Sequence, residues 1–278
     1  MNQLFFETPQ GKIAYRKHSE RGEVIIFIHG WLDNSQSFTP LLPFFTDQYQ
    51  CYTIDLPGHG FSDAPSSIEP YHFTSYISRL YDFIIEHNLQ KVHLVGHSFG
   101  AAISLCFASA FPEHVNKLAL IDGIAPMGEE EELGPSRLRQ SILAHKRTRK
   151  TRRTLNSIEQ AMTLRQSSTE LASEHVRLLV EGQIKKTDDG FQWTFDPRLR
   201  FPSPTRLSYA QIKAYIQTVE ASTLLIKADN GFLINNKQSS ELCQKFQNLQ
   251  IAQLPGHHHL HMESPEQSAE VICKHLAY

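Results

Sequence analysis

Val92-His93-Leu94-Val95-Gly96-His97-Ser98-Phe99-Gly100-Ala101-Ala102-Ile103-Ser104-Leu105-Cys106-Phe107-Ala108-Ser109-Ala110 runs from an apolar segment of strand length, through a glycine-flanked serine, into an apolar helix. The pentapeptide Gly96-His97-Ser98-Phe99-Gly100 fits G-x-S-x-G. With ordinary glycine and serine usage, that pattern arises by chance in about one chain in ten of this size. The setting is more specific than the pattern: Val92–Val95 ends at Gly96, and the helix over Phe99–Ala110 begins directly after the serine. This is the layout of a nucleophile elbow. Glycines on both sides let the chain turn where a Cβ would collide, which holds the Ser98 hydroxyl above a sheet and beside a helix N-terminus. The competing reading is a helix-capping serine in a glycine-rich turn.

Outward from the elbow, short runs rich in Val, Ile, Leu, Phe and Tyr alternate with helical patterns, as a parallel sheet covered on both faces requires. Leu4–Glu7 and Ile13–Lys17 look like an antiparallel edge hairpin across Pro9-Gln10-Gly11. Val24–Ile28, Cys51–Ile54, Val92–Val95, Leu118–Ile121, Leu224–Ala228 and Gln250–Leu254 complete eight expected strands in one sheet. Phe73–His87, Phe99–Ala110, Gln238–Phe246 and Pro265–Leu276 carry apolar residues at three- and four-residue spacing and read as helices between them. The rhythm breaks from Met127 to about Thr218, a polar, helix-prone stretch interrupted by Phe201-Pro202-Ser203-Pro204. The expected organisation is a core over 1–126 and 219–278, with a helical cap over 127–218 inserted after the sixth strand. The Glu129–Glu132 run and the basic residues Arg137, Arg139, Lys146, Arg147, Arg149, Lys150, Arg152 and Arg153 within it read as solvated helix surface.

A net charge of −2 argues against general polyanion binding, so no nucleic-acid partner is expected. With 40% hydrophobic and 20% charged residues the chain reads as an ordinary globular protein. The opening stretch has no basic head before a long apolar run, and no segment approaches the ~18 uninterrupted apolar residues of a membrane span. A cytoplasmic location is expected. Cys51, Cys106, Cys243 and Cys273 stand far apart, without a C-x-x-C pair, and read as buried thiols.

A neutral serine hydroxyl is a poor nucleophile at pH 7 and needs a histidine base held by a carboxylate. Pro255-Gly256-His257-His258-His259-Leu260-His261-Met262-Glu263-Ser264-Pro265 offers several histidines between the last strand and the last helix. Neighbouring loop histidines without a distant carboxylate or Cys partner seldom close a metal site, so no metal is expected. Two aspartates stand at strand ends, Asp122 after Leu118–Ile121 and Asp229 after Leu224–Ala228. Acyl transfer also needs donors aimed at the developing oxyanion, and the Phe99 amide directly after the serine supplies one.

The chain resembles the α/β-hydrolase superfamily, with motif support over about residues 24 to 126 and 223 to 276. More narrowly, His29-Gly30-Trp31-Leu32-Asp33-Asn34, Gly96-His97-Ser98-Phe99-Gly100, Phe195-Asp196-Pro197-Arg198-Leu199 and Leu224-Leu225-Ile226-Lys227-Ala228 resemble the serine hydrolase-like proteins. The resemblance implies an α/β-hydrolase fold and a base at His258, counting back from Pro265, with His257 and His259 as rivals. It implies a second oxyanion amide from Trp31, with Gly30 allowing close approach of backbone to ligand and His97 at the mouth of the substrate site. The commonest position for the triad acid falls on Gly231 here, a departure from the pattern. Asp122 is therefore preferred on strand-end geometry, with Asp229 as the alternative. The segment Asp55-Leu56-Pro57-Gly58-His59-Gly60-Phe61-Ser62 matches a recurring superfamily turn that is mainly structural, and His59 is not expected to be catalytic.

Serine rather than aspartate at the elbow separates the chain from haloalkane dehalogenases and epoxide hydrolases and points to acyl transfer. The implied activity is cofactor-free hydrolysis of a small-molecule carboxylic ester or thioester through an acyl-enzyme. Carbon–carbon bond hydrolysis and perhydrolysis on the same residues remain open, as does a non-catalytic scaffold acting as a binding module. Acyl-chain preference and oligomeric state are not legible.

Overall fold

The computed structural model describes residues 2–65, 70–147, 154–234 and 236–277, the side chain of Arg147 excepted. The elements of its main sheet are β1 (Leu4–Thr8), β2 (Gly11–Lys17), β3 (Glu23–Ile28), β4 (Tyr49–Ile54), β5 (Val92–His97) and β6 (Val115–Ile121). Helices α1 (Phe73–Glu86) and α2 (Phe99–Ala110) fall among them. The segment from 122 to 221 then carries α3 (Gly134–Arg147), β7 (Thr154–Leu155), α4 (Ile158–Gln166), α5 (Ser173–Glu181), β8 (Ile184–Thr187), β9 (Gly190–Trp193) and α6 (Tyr209–Gln217). The chain returns to the sheet with β10 (Ser222–Asn230), α7 (Lys237–Cys243) and β11 (Leu249–His257), and ends in α8 (Leu260–Glu263) and α9 (Pro265–Ala277).

The eight-stranded sheet has the order β1-β2-β4-β3-β5-β6-β10-β11. The first hairpin and the β2–β4 pair are antiparallel, and every later pairing is parallel. The near-continuous apolar runs explain how both faces are covered. Along β3, Ile25 and Phe27 join one buried cluster with Phe38, Leu41 and Ile272, while Ile26 and Ile28 join the other with Phe83, Ile103 and Phe107. The period-two alternation thus feeds two apolar layers. Parallel strands also end on the same edge of the sheet, so the segments following β3, β5, β6 and β11 gather at one rim, where ligands bind in open α/β sheets.

The fold is the α/β-hydrolase fold expected. The inserted segment carries helices but also a three-stranded antiparallel sheet, β7-β9-β8, which the reading of it as a helical cap missed. Its strands span two to four residues and include Lys185 and Lys186, too short and too polar for periodicity to register. The turn residues Asp188-Asp189-Gly190, with Gly190 at φ +130°, are the signal that marks the hairpin. The segment has its own buried cluster of Leu155, Leu171, Val176, Leu179, Val180 and Ile184, closed by Met262 from α8. Asn34 Nδ2 donates to Leu179 O at 2.8 Å, and Tyr71 Oη donates to Asp196 Oδ2 at 2.9 Å, tying the insertion to loops at the sheet rim.

Three further expectations change. Glu129 is buried and ion-paired with Arg137 rather than solvated, since a carboxylate out of water needs a charged partner. Arg149, Lys150, Arg152 and Arg153 lie outside the described residues. Cys51 and Cys106 are buried and burial pushes both thiols up to about 12, but Cys243 and Cys273 are only half-buried. Among the described residues no helix is long and apolar enough to cross a membrane.

Candidate active site

Ser98 sits between β5 and α2 with φ 51° and ψ −111°. For a residue with a Cβ this left-handed conformation stores roughly 1–3 kcal/mol of strain, held by the surrounding packing. The packing is specific: a Cβ at Gly100 would lie 1.9 Å from Ile28 O, and one at Gly96 would lie 2.5 Å from Gly100 O. Only glycines permit helix α2 to pack this closely on the strands. The Ser98 amide donates to Ile121 O at 2.9 Å, fixing the elbow to β6.

Directly after β6, Asp122 also has positive φ, +39°, and its amide donates to Ile226 O at 2.8 Å. That hydrogen bond extends the β6–β10 ladder by one step and aims the carboxylate along the rim. Asp122 Oδ2 accepts from His258 Nδ1 at 2.7 Å and from the Phe232 amide at 2.9 Å. His258 Nε2 lies 2.9 Å from Ser98 Oγ, placed to accept its proton. A carboxylate on one ring nitrogen selects the tautomer with hydrogen on Nδ1 and leaves the Nε2 lone pair for the hydroxyl. The structure thus brings together Ser98, His258 and Asp122 from three separate strand ends.

It does not bring Asp229 to them. That side chain is exposed and accepts from Gln253 Nε2 at 2.7 Å. The rival histidines are engaged elsewhere: His257 pairs with Glu263 and Glu170, and His259 Nε2 lies 3.0 Å from Asp33 Oδ2. Gly231, where the acid is commonest in the superfamily, packs against Asp122 itself. A Cβ there would lie 2.4 Å from Asp122 Oδ1 and 2.5 Å from Oδ2.

Trp31 and Leu32 are the central residues of a turn closed by the Asp33 amide on Gly30 O at 3.2 Å, with Leu32 at φ 61°. The Trp31 ring packs edge-on against Phe99 with centroids 5.0 Å apart, so the two residues expected to supply oxyanion amides are neighbours. As the first residue of α2, Phe99 carries one of the N–H groups that a helix start leaves without an intrahelical acceptor. His59 is fully buried beside His29, Trp31 and Tyr76, and burial lowers it to about 3, so it remains a neutral packing element.

His97 is corrected as a substrate contact. Its ring is fully buried behind His258, where Nε2 donates to the His258 carbonyl at 2.8 Å. A β5 residue immediately before the elbow alternates away from the serine, which puts His97 under the base rather than in the mouth. Gly30 faces the same interior: a Cβ there would lie 2.9 Å from His97 Nδ1. Burial drives His97 and His261 well below the ordinary histidine range. Burial alone would raise the Asp33 carboxyl, but His259 and Arg165 hold it well below the usual carboxylate range.

Phe232 is the residue sequence reasoning missed. Its ring is 70% exposed yet stacks on His258 at 3.8 Å between centroids and 24° between planes, while its amide binds Asp122. Its place directly after Gly231, the displaced acid position, was the available signal.

A family model described as the alpha/beta hydrolase fold matches residues 23–265. Serine hydrolase-like protein 2 of Homo sapiens is 26% identical over 298 residues, covering 99% of this chain and 94% of that protein. Serine hydrolase-like protein of Mus musculus is 25% identical, covering 98% and 94%. Among solved structures, a hypothetical protein of Pseudomonas aeruginosa PAO1 superposes with a TM-score of 0.91 at 28% identity, covering 100% of this chain and 98% of its own. The thioesterase domain of the curacin biosynthetic pathway shares the fold, with a TM-score of 0.88 at 21% identity over 99% of each chain.

Proposed function

The chain belongs to the α/β-hydrolase family, and from that premise we propose that it hydrolyses carboxylic esters through a Ser98 acyl-enzyme. The observation that carries this reading is the unbroken run from Ser98 Oγ to His258 Nε2 at 2.9 Å and from His258 Nδ1 to Asp122 Oδ2 at 2.7 Å.

In this mechanism His258 Nε2 takes the Ser98 proton as Oγ attacks the ester carbonyl. The oxyanion forms within reach of the Trp31 and Phe99 amides, whose fixed dipoles act where charge develops. Collapse expels the alkoxide, which leaves as the alcohol with the proton from His258. Water then attacks the acyl-enzyme, again giving its proton to His258, and the acid departs with Ser98 restored. Asp122 stays ionised throughout, orienting the ring and stabilising the imidazolium. The 127–218 segment serves as a cap that shapes the acyl pocket, and no cofactor takes part.

The test is turnover of short p-nitrophenyl esters and matching thioesters by the wild type and by Ser98→Ala. The variant is expected to lose on the order of 10³-fold or more in kcat/KM. A fluorophosphonate probe should label the wild type at Ser98 alone. Undiminished turnover in Ser98→Ala overturns the assignment. An unlabelled, inactive wild type would instead favour a binding scaffold.

A further inference from the structure

Behind His258, on the side away from Ser98, a carboxylate and three further imidazoles crowd together. Asp33 is 2% exposed; its Oδ1 accepts from Arg165 Nη2 at 2.5 Å and its Oδ2 lies 3.0 Å from His259 Nε2. The His97 ring lies 4.3 Å from that of His261 and 5.0 Å from that of His259, centroid to centroid. The chain positions are far apart in sequence: Asp33 follows β3, His97 ends β5, and His259 follows β11.

The hydrogen bonding of this cluster is incomplete in one particular way. A carbonyl oxygen only accepts, so the His97 nitrogen on the His258 carbonyl must carry the ring hydrogen. Nδ1 of the neutral ring is then a bare lone pair. It has no hydrogen-bond partner among the described residues and points to Asp33 Oδ2 at 3.7 Å. Two acceptors face each other in the interior with no hydrogen between them. The gap is kept open by Gly30, where a Cβ would lie 2.9 Å from His97 Nδ1 and 3.0 Å from Asp33 Oδ2.

We propose that Asp33 Oδ2, His97 Nδ1 and His259 Nε2 form a binding site for one divalent transition-metal ion of the zinc class, with water completing the coordination. The three ligand atoms lie within 4.8 Å of one another. Ligands at about 2.0–2.2 Å from a common zinc ion stand roughly 3.0–3.7 Å apart, the range spanned by the Asp33–His259 and Asp33–His97 separations. Two imidazoles and a carboxylate suit zinc, cobalt, nickel or copper rather than calcium or magnesium, which prefer all-oxygen shells. To bind, the partly exposed His259 ring must present Nε2 as a lone pair, with its remaining hydrogen on Nδ1. Arg165 on the second Asp33 oxygen and the His258 carbonyl on His97 Nε2 are the outer contacts that orient two of the ligands. The Arg165 charge also opposes a second cation nearby and limits the affinity.

The experiment is titration of chelator-treated, tag-free protein with zinc chloride by calorimetry, together with the visible spectrum after cobalt(II) chloride. One zinc per chain is expected, and cobalt should give the intense bands of a four- or five-coordinate ion. Asp33→Asn and His259→Ala should each weaken binding at least ten-fold, whereas Ser98→Ala should leave it unchanged. His259 reaches the surface, so its variant decides the matter if Asp33→Asn fails to fold; His257→Ala is the control for adventitious loop binding. No stoichiometric zinc, or zinc lost in His257→Ala and retained in His259→Ala, overturns the proposal. None of these readouts depends on ester turnover, so failure here leaves the hydrolase reading standing, and the converse holds.

Discussion

The two faces of His258 are built differently. In front, three donors each meet an acceptor, Ser98 Oγ on Nε2, Nδ1 on Asp122 and the Phe232 amide on the same carboxylate oxygen, while the second Asp122 oxygen has no hydrogen-bond partner among the described residues. Behind, no hydrogen bond joins His97 Nδ1 to the carboxylate oxygen it faces. A run of matched donors and acceptors favours a single arrangement of its members, because displacing His258 would break several of these bonds at once. A mismatched pair selects instead for something that supplies positive charge. The two faces share one strip of backbone, since the His97 ring holds the carbonyl of the residue whose side chain faces the serine.

The contrast can be broken most severely at the front. Asp122→Asn should lower kcat by roughly 10³–10⁴-fold, because an amide on Nδ1 permits the wrong tautomer. Asp229→Asn should change it less than two-fold, and equal effects in steady-state assays would refute Asp122 as the acid. Gly231→Ala should come next, at about 10–100-fold, since the added methyl must push the carboxylate off Nδ1 and small misplacements are costly. A crystal structure of that variant with Asp122 unmoved would remove the steric argument. A smaller loss than at Gly231 is expected from behind: His97→Leu leaves the His258 carbonyl unpaired and should cost about ten-fold in kcat with KM little changed, through loss of positioning. His97→Gln, which restores a donor, should recover most of it; a failure to recover would show that the imidazole matters for more than its N–H.

Legibility differed along the chain for physical reasons. The eight sheet strands and the helices between them announce themselves because burial on both faces demands unbroken apolar runs, as in Val24–Ile28 and Leu118–Ile121. Ser98 and Asp122 were legible because each follows the end of a strand, and parallel strands bring such positions to one rim; His258 was singled out from its neighbouring histidines only by the family resemblance, counted back from Pro265. Three kinds of feature were not. The β7–β9 strands are too short for a period. The burial of His97 depends on His258 folding over it from the far end of the chain, which alternation along β5 does not reveal. The Asp33 cluster joins Asp33 to His259, 226 positions away, and no spacing rule connects them.

Gly231 also decides which strand end serves the base. A side chain there would share space with the Asp122 carboxylate, so an acid at position 231 could approach His258 only with Asp122 turned aside. The two strand ends thus offer the imidazole one seat for a carboxylate, and the glycine leaves it to Asp122.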